Sequence, residues 1–234
     1  MTDSNEESFV EKLDLSSKIE AIASIVLAIA VILTAWAAFQ AGKWGGEQSI
    51  QFSVAGASRT ESARADTAGG QLVQIDVAMY TDFVAAYMDD VDSGSIQSYD
   101  GATFTPTTGT LSGFLYNRFR NEFRPAMDAW LAADPVGNPD APATPFEMPE
   151  YQIAKFAEAQ ELVEVADQAA VDARTANQNG DNYVLTAVLF ATVLFFSGIA
   201  SKLENRWNRH FVNLVGIIGV VAGAIILIKL PVML

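Results

Sequence analysis

The chain has no cysteine and a single histidine, His210. No disulfide can staple a domain, no thiolate can attack a substrate, and a transition-metal site would have to be built from carboxylates. Base is scarce as well: 14 Lys and Arg, only six of them Lys, stand against 28 Asp and Glu, for a net charge of −14. This balance disfavours nucleic acid or anionic lipid as a partner of the charged parts, and it fits the solvated surface of a halophile's protein. The most informative lack is local. Windows 21–42, 182–201 and 211–228 contain no charged residue. Each is close to the roughly 20 residues that a helix needs to cross about 30 Å of hydrocarbon.

Half of the 234 residues are hydrophobic, so the windows read as three transmembrane helices rather than as the buried helices of a soluble domain. The leader MTDSNEESFVEKLDLSSKIE holds six acidic residues and two lysines, where a cleaved signal peptide would begin with a short basic segment. The first span is therefore expected to be a retained signal anchor. Lys and Arg in the short flanking loops set orientation. The connector 201–210 carries Lys202, Arg206 and Arg209, whereas the 139 residues of 43–181 hold eight bases among 21 acids.

The expected layout is a cytoplasmic tail (1–20), a first span (21–42), an extracytoplasmic helical domain (43–181), a second span (182–201), a cytoplasmic loop (202–210) and a third span (211–230). This is an all-α integral protein of the cell membrane, with its C-terminus outside.

No turn chemistry follows the first window. Trp36, Phe39 and Trp44 form an interfacial belt, and one helix is expected to run on past them. Small residues then recur at steps of four and three: Gly42, Gly46, Ser49, Ser53, Gly56, Thr60, Ala63, Thr67 and Gly70. A second heptad seam runs through Ala159, Leu162, Ala166, Ala169, Ala173, Ala176, Gly180, Tyr183, Ala187 and Phe190. Small residues on facing seams allow close approach of two backbones, so 42–70 and 151–180, each roughly 45 Å long at about 1.5 Å per residue, are expected to pair as a coiled-coil stalk. Above it, an apolar helix over 71–91 would pack on a second helix with Leu111, Leu115, Phe119, Phe123, Met127 and Leu131 at i+4 spacing, broken at Pro125. A compact three-helix bundle would use the same residues. The stretch 134–150 holds five of the eight prolines and reads as a linker, with Pro149 opening the returning helix. On the third span, Gly216, Gly219 and Gly223 present a small face suited to helix association.

Chemistry is sparse. His210, beside Arg206, Trp207 and Arg209, suits the membrane interface better than a metal or catalytic role. Asp89, Asp90, Asp92 and Asp100 approach a calcium loop, but counted from Asp90 the stretch lacks glycine at position six and glutamate at position twelve. Capping and solvation explain these acids better. Neither a phosphate-cradling glycine loop nor a nucleophile elbow is present. Thr34, Gln40, Asn182, Thr186, Thr192, Ser197 and Asn213 are the uncharged polar groups of the windows and are expected to bond between helices rather than to line an ion path. No catalytic, cofactor-binding or metal-ligating residue is expected, and no cofactor.

The segments AWAAFQAGKWGGEQ, FRPAMDAWLAADP and GDNYVLTAVLFATVLFFSGIA resemble those of a prokaryotic family of three-span membrane proteins that has no assigned activity. The resemblance covers nearly the whole chain and implies one span, a large extracytoplasmic helical insert and a closing hairpin of two spans. It transfers no functional residue. The reading that follows is a non-enzymatic, homo-oligomeric membrane scaffold or accessory subunit, able to enclose lipid or an uncharged pore. The alternative is an extracytoplasmic sensor or binding module signalling through a separate cytoplasmic or membrane protein. A membrane enzyme would need a cavity that joins Arg118, Arg120 and Arg124 to carboxylates.

Overall fold

The computed structural model describes the backbone of residues 3–96, 104–135, 137–200, 202 and 205–233; Asp100, the tail's side chains and part of the 201–210 connector lie outside the described residues. Helix α1 spans Asp3–Asp92, α2 Leu111–Tyr116, α3 Arg124–Ala132, α4 Ala154–Ala200 and α5 Arg206–Lys229, with a 3-10 turn at Pro145–Glu147. No strand occurs among the described residues. Three helices, α1, α4 and α5, are long and apolar enough to cross a membrane. The chain divides into two compact units, Met1–Ala55 with Asp167–Leu234 (unit 1) and Gly56–Ala166 (unit 2).

Helix α1 is not interrupted at the Trp36–Trp44 belt, because nothing there supplies a cap or a breaker. It ends where sequence chemistry ends it. Gly94 adopts φ 71°, and the amides of Ser95 and Ile96 turn back onto the carbonyl of Asp90 at 2.9 and 3.2 Å. The interruption expected at Pro125 is a restart, which leaves two short helices in place of one. Thr110 caps α2 through a 3.1 Å bond from the Gly113 amide to its hydroxyl, and α3 restarts at Arg124 with Pro125 in its first turn, where a missing N–H costs nothing. Pro149 lies before α4 rather than in its first turn, since that helix begins only at Ala154.

Unit 1 is built from small residues and a few large knobs. Ala55 packs on Ala169 and Ala170, while Ala30, Ala37, Tyr183, Phe190, Val193, Val220 and Leu227 form the other core cluster. The glycine face of α5 is filled from within the chain. A Cβ at Gly216, Gly219 or Gly223 would come within 2.9 Å of Ser197 Oγ, 2.6 Å of Val193 Cγ2 and 2.5 Å of Phe190 Cε1. These glycines seat α5 against α4, so the face expected to mediate association is already used.

Unit 2 is organised around aromatics. Phe83, Tyr87, Tyr116, Phe119, Phe123, Met127, Trp130 and Leu131 are buried together. Edge-to-face pairs dominate, such as Phe119 on Phe123 at 5.1 Å and Tyr80 on Trp130 at 5.3 Å, the arrangement that ring quadrupoles favour. The expected linker contributes to this core: Phe146 of the 3-10 turn stacks on Phe123 at 5.5 Å, and Trp130 Nε1 donates to the Pro142 carbonyl at 2.8 Å. Leu111, counted with the core from its spacing, is exposed.

One sequence expectation is reversed. On α4 the predicted seam is the packed face: Ala159, Ala166, Ala169, Ala173, Ala176, Gly180, Tyr183 and Phe190 are buried. On α1 the predicted seam is exposed from Gly42 through Gly46, Ser49, Ser53, Gly56, Thr60 and Ala63 to Thr67. The face that α1 packs runs through Ala37, Gln40, Ala55, Ser62, Ala65, Gly69, Asp76 and Phe83. Gln40 lies two residues from Gly42, and Gly69 two from Thr67, which is roughly 200° around a helix. The true seam is a mixture of small, polar and aromatic side chains, and it wins because each of its polar members finds a partner. In unit 2, Ser62 Oγ donates to the Ala159 carbonyl at 2.9 Å and Gly69 lies under the Phe156 ring.

Candidate functional site

Two polar constellations stand out, one in each unit. In unit 2 the Asp76 carboxylate is 1 % exposed and receives Arg120 in a fork, Nε to Oδ1 at 2.9 Å and Nη2 to Oδ2 at 2.8 Å. Tyr151 adds its hydroxyl to Oδ2 at 3.1 Å, and the remaining Arg120 Nη1 bonds Glu122 at 2.9 Å. A planar guanidinium matches a carboxylate in this bidentate form, and the added hydrogen bonds offset the cost of removing the charges from water. The Asp76 hydrogen bond raises the Arg120 pKa still further above its ordinary value, so that group stays a cation at any physiological pH. Burial, then the Asp76 charge, raises the Tyr151 phenol well above its ordinary range. Neither can act as an acid or base near neutrality. The cluster is a clasp that ties the segments around 120 and 151 to α1.

Sequence inspection passed over this clasp, because its members are 44 and 75 residues apart. One signal was available. Asp76 occupies the stripe shared with Leu72 and Phe83, where an acid has no business unless a partner is buried beside it.

The arginines flagged in the sequence are not brought together. Arg118 lies over the Phe114 ring at 3.3 Å, Arg120 belongs to the clasp, and Arg124 faces Tyr116 at 5.8 Å while donating to the Asn117 carbonyl. An open groove of about 540 Å3 runs along Thr107–Leu111, Gly113, Phe114, Asn117 and Arg118, with no carboxylate among its lining residues. Of the acidic stretch, one member bonds a helix amide. The Asp90 carboxylate accepts from the Ser112 amide at 2.9 Å, and that backbone hydrogen bond lowers its pKa. Asp89 and Asp92 are exposed, and no group of three metal-ligating side chains occurs among the described residues. His210 lies on an exposed apolar recess of α5 with Trp207, Phe211 and Leu214. No family model, curated protein or solved structure matches this chain.

In unit 1 three of the window hydroxyls bond within their own helix. Thr34, Thr186 and Thr192 each donate to the carbonyl four residues back in their own helix, at 2.7–2.8 Å, because that acceptor is always in reach. Gln40 is different. Fully buried, it donates to the Met233 carbonyl at 3.0 Å and accepts from the Met233 amide at 2.9 Å. Trp44 Nε1 and the Tyr183 hydroxyl both donate to the Pro231 carbonyl at 3.1 Å.

Proposed function

We propose that this protein is a non-enzymatic membrane scaffold or accessory subunit that associates with copies of itself along the uncovered face of α1. The observation that carries the reading is a contrast among helical glycines. Gly216, Gly219 and Gly223 all press on α4, but a Cβ at Gly42, Gly45, Gly46 or Gly56 would meet nothing within 4 Å. Each glycine inside a helix costs about 1 kcal/mol relative to alanine, and nothing within the chain offsets that cost along this stretch.

The face is also chemically quiet. Ser49, Ser53, Thr60 and Thr67 turn their hydroxyls onto carbonyls of their own helix, so a second helix lying on this face would strand none of them. Ile50, Phe52 and Val54 are exposed beside it. The N-terminal tail and the 202–210 loop are proposed to be cytoplasmic and 43–181 extracytoplasmic, in a plasma membrane, on the Lys and Arg asymmetry alone.

The absence of native cysteine makes the test clean. A Gly46→Cys chain should form a disulfide-linked dimer in native membranes on mild oxidation, and native mass spectrometry of the wild type should give a multimer. Uniformly monomeric protein, with no crosslink at position 46 or 49, would sink the reading. One observation favours a sensor instead: a loop and a helix together form the open groove flanked by Arg118 and Phe114. Ligand-induced protection of 107–118 in hydrogen exchange would support that second reading.

A further inference from the structure

Helix α5 cannot continue past Leu230, because Pro231 has no N–H to give and Leu230 is already extended (φ −78°, ψ 142°). The residues that follow are therefore non-helical backbone lying beside Gln40, at the edge of the first charge-free window. At membrane depth such backbone is tolerated only where its polar groups are satisfied by protein. Here they are. The only backbone polar group of Pro231 is its carbonyl, and both of its lone pairs are taken, by Trp44 from α1 and Tyr183 from α4. Both backbone groups of Met233 are exchanged with the Gln40 amide, the two-bond pattern of a strand pair made by a side chain.

We infer that residues 230–233 form a latch: an extended strap closed by Gln40, Trp44 and Tyr183, whose release frees the end of α5 from α1 and α4. Three side chains on two helices read main-chain atoms alone, while the side chain of Val232 stays exposed. Besides the Leu230 side chain, which packs on the unit 1 core, the strap is held through its main chain, with Pro231 as the residue that sets its conformation. Gln40 makes the arrangement two-state. It is 0 % exposed, and when the strap leaves, its amide oxygen and nitrogen lose both partners at once together with the Met233 groups they satisfied. Closed and open states therefore differ by several hydrogen bonds made or broken together, with no half-engaged position of comparable stability. Neighbouring glycines suit the same motion, because Gly219 and Gly223 hold α5 to α4 by contact alone and contribute no hydrogen bond to it.

Hydrogen exchange read by mass spectrometry on the full-length, detergent-purified protein tests the latch. In the Gln40→Leu chain, exchange over 230–233 should be roughly ten- to thirty-fold faster, the effect of two lost hydrogen bonds on a local opening equilibrium. The last turn of α5 should accelerate with it, while helicity by circular dichroism and exchange around Phe83 and Phe123 stay at wild-type values. Unchanged exchange overturns the inference. So does acceleration confined to position 233, which would leave α5 fixed, or a loss of helicity throughout, which would make Gln40 a part of the general core. Should Gln40→Leu fail to accumulate, Tyr183→Phe keeps the ring and removes one donor to Pro231; several-fold faster exchange over 230–233 supports the latch, and wild-type exchange overturns it.

Discussion

Unit 1 and unit 2 solve the same problem, packing partners against α1, by opposite means. Unit 1 uses alanines and glycines at its helix contacts and lets side chains bond to backbone; its largest buried groups, Tyr183 and Phe190, are single knobs in small-residue surroundings. Unit 2 uses eight large buried side chains and a buried ion pair. The difference accords with the proposed topology, in which unit 1 holds the spans and unit 2 lies in water. Lipid tails are as apolar as leucine, so helices in a bilayer gain little from burying large side chains and gain most from close backbone approach. In water, each buried aromatic ring removes a large apolar area from solvent, and a few of them outweigh many small contacts.

That contrast can be broken most forcefully in unit 2. Phe123→Ala, at a fully buried ring that touches Phe119, Phe146 and Tyr151, should destabilise unit 2 by about 3–5 kcal/mol in denaturant titration. Asp76→Ala should cost about as much, because it strands Arg120 beside a buried void. Replacing both partners, Asp76→Leu with Arg120→Met, should recover most of that loss, since an apolar pair of similar volume removes the unpaired charge along with the bond.

Unit 1 should respond to the opposite change, added bulk. Gly223→Leu drives a side chain into Phe190 and should cost about 1–3 kcal/mol, read as a lower thermal midpoint in detergent. Gly46→Ala meets open space and should leave the isolated chain up to about 1 kcal/mol more stable. Gly46→Leu should leave the fold intact and abolish the proposed multimer. Equal sensitivity of positions 46 and 223 in monomeric protein would erase the distinction between used and unused glycines.

A smaller effect concerns pH. Burial, then the hydrogen bond to Asp128, pushes the Tyr116 phenol up to about 12 from its ordinary value near 10. The folded state therefore holds this proton more tightly than the unfolded chain does. The associated stability is fully present below pH 10 and is lost as pH rises through about 12. Unit 2 should loosen in that alkaline window by near-ultraviolet circular dichroism, and Tyr116→Phe should flatten the dependence.

Much of this was written in the sequence. The three charge-free windows point to long apolar helices, because a helix satisfies its backbone groups within its own segment in an apolar medium. Continuity past Trp44 followed from the absence of any breaker, the restart at Arg124 from Pro125, and the packed face of α4 from its alanine spacing, which has no competitor on the other side of that helix. Helix α1 was different: it carries small residues on two opposite faces, so periodicity offers two answers and cannot choose. Only tertiary structure chose, because Gln40 and Asp76 must each meet a partner far along the chain, 193 and 44 residues away, and the face holding them is the one that turns inward. Local pattern fixes what a segment can become, whereas the cost of an unsatisfied buried polar group is decided by residues brought close only when the chain folds.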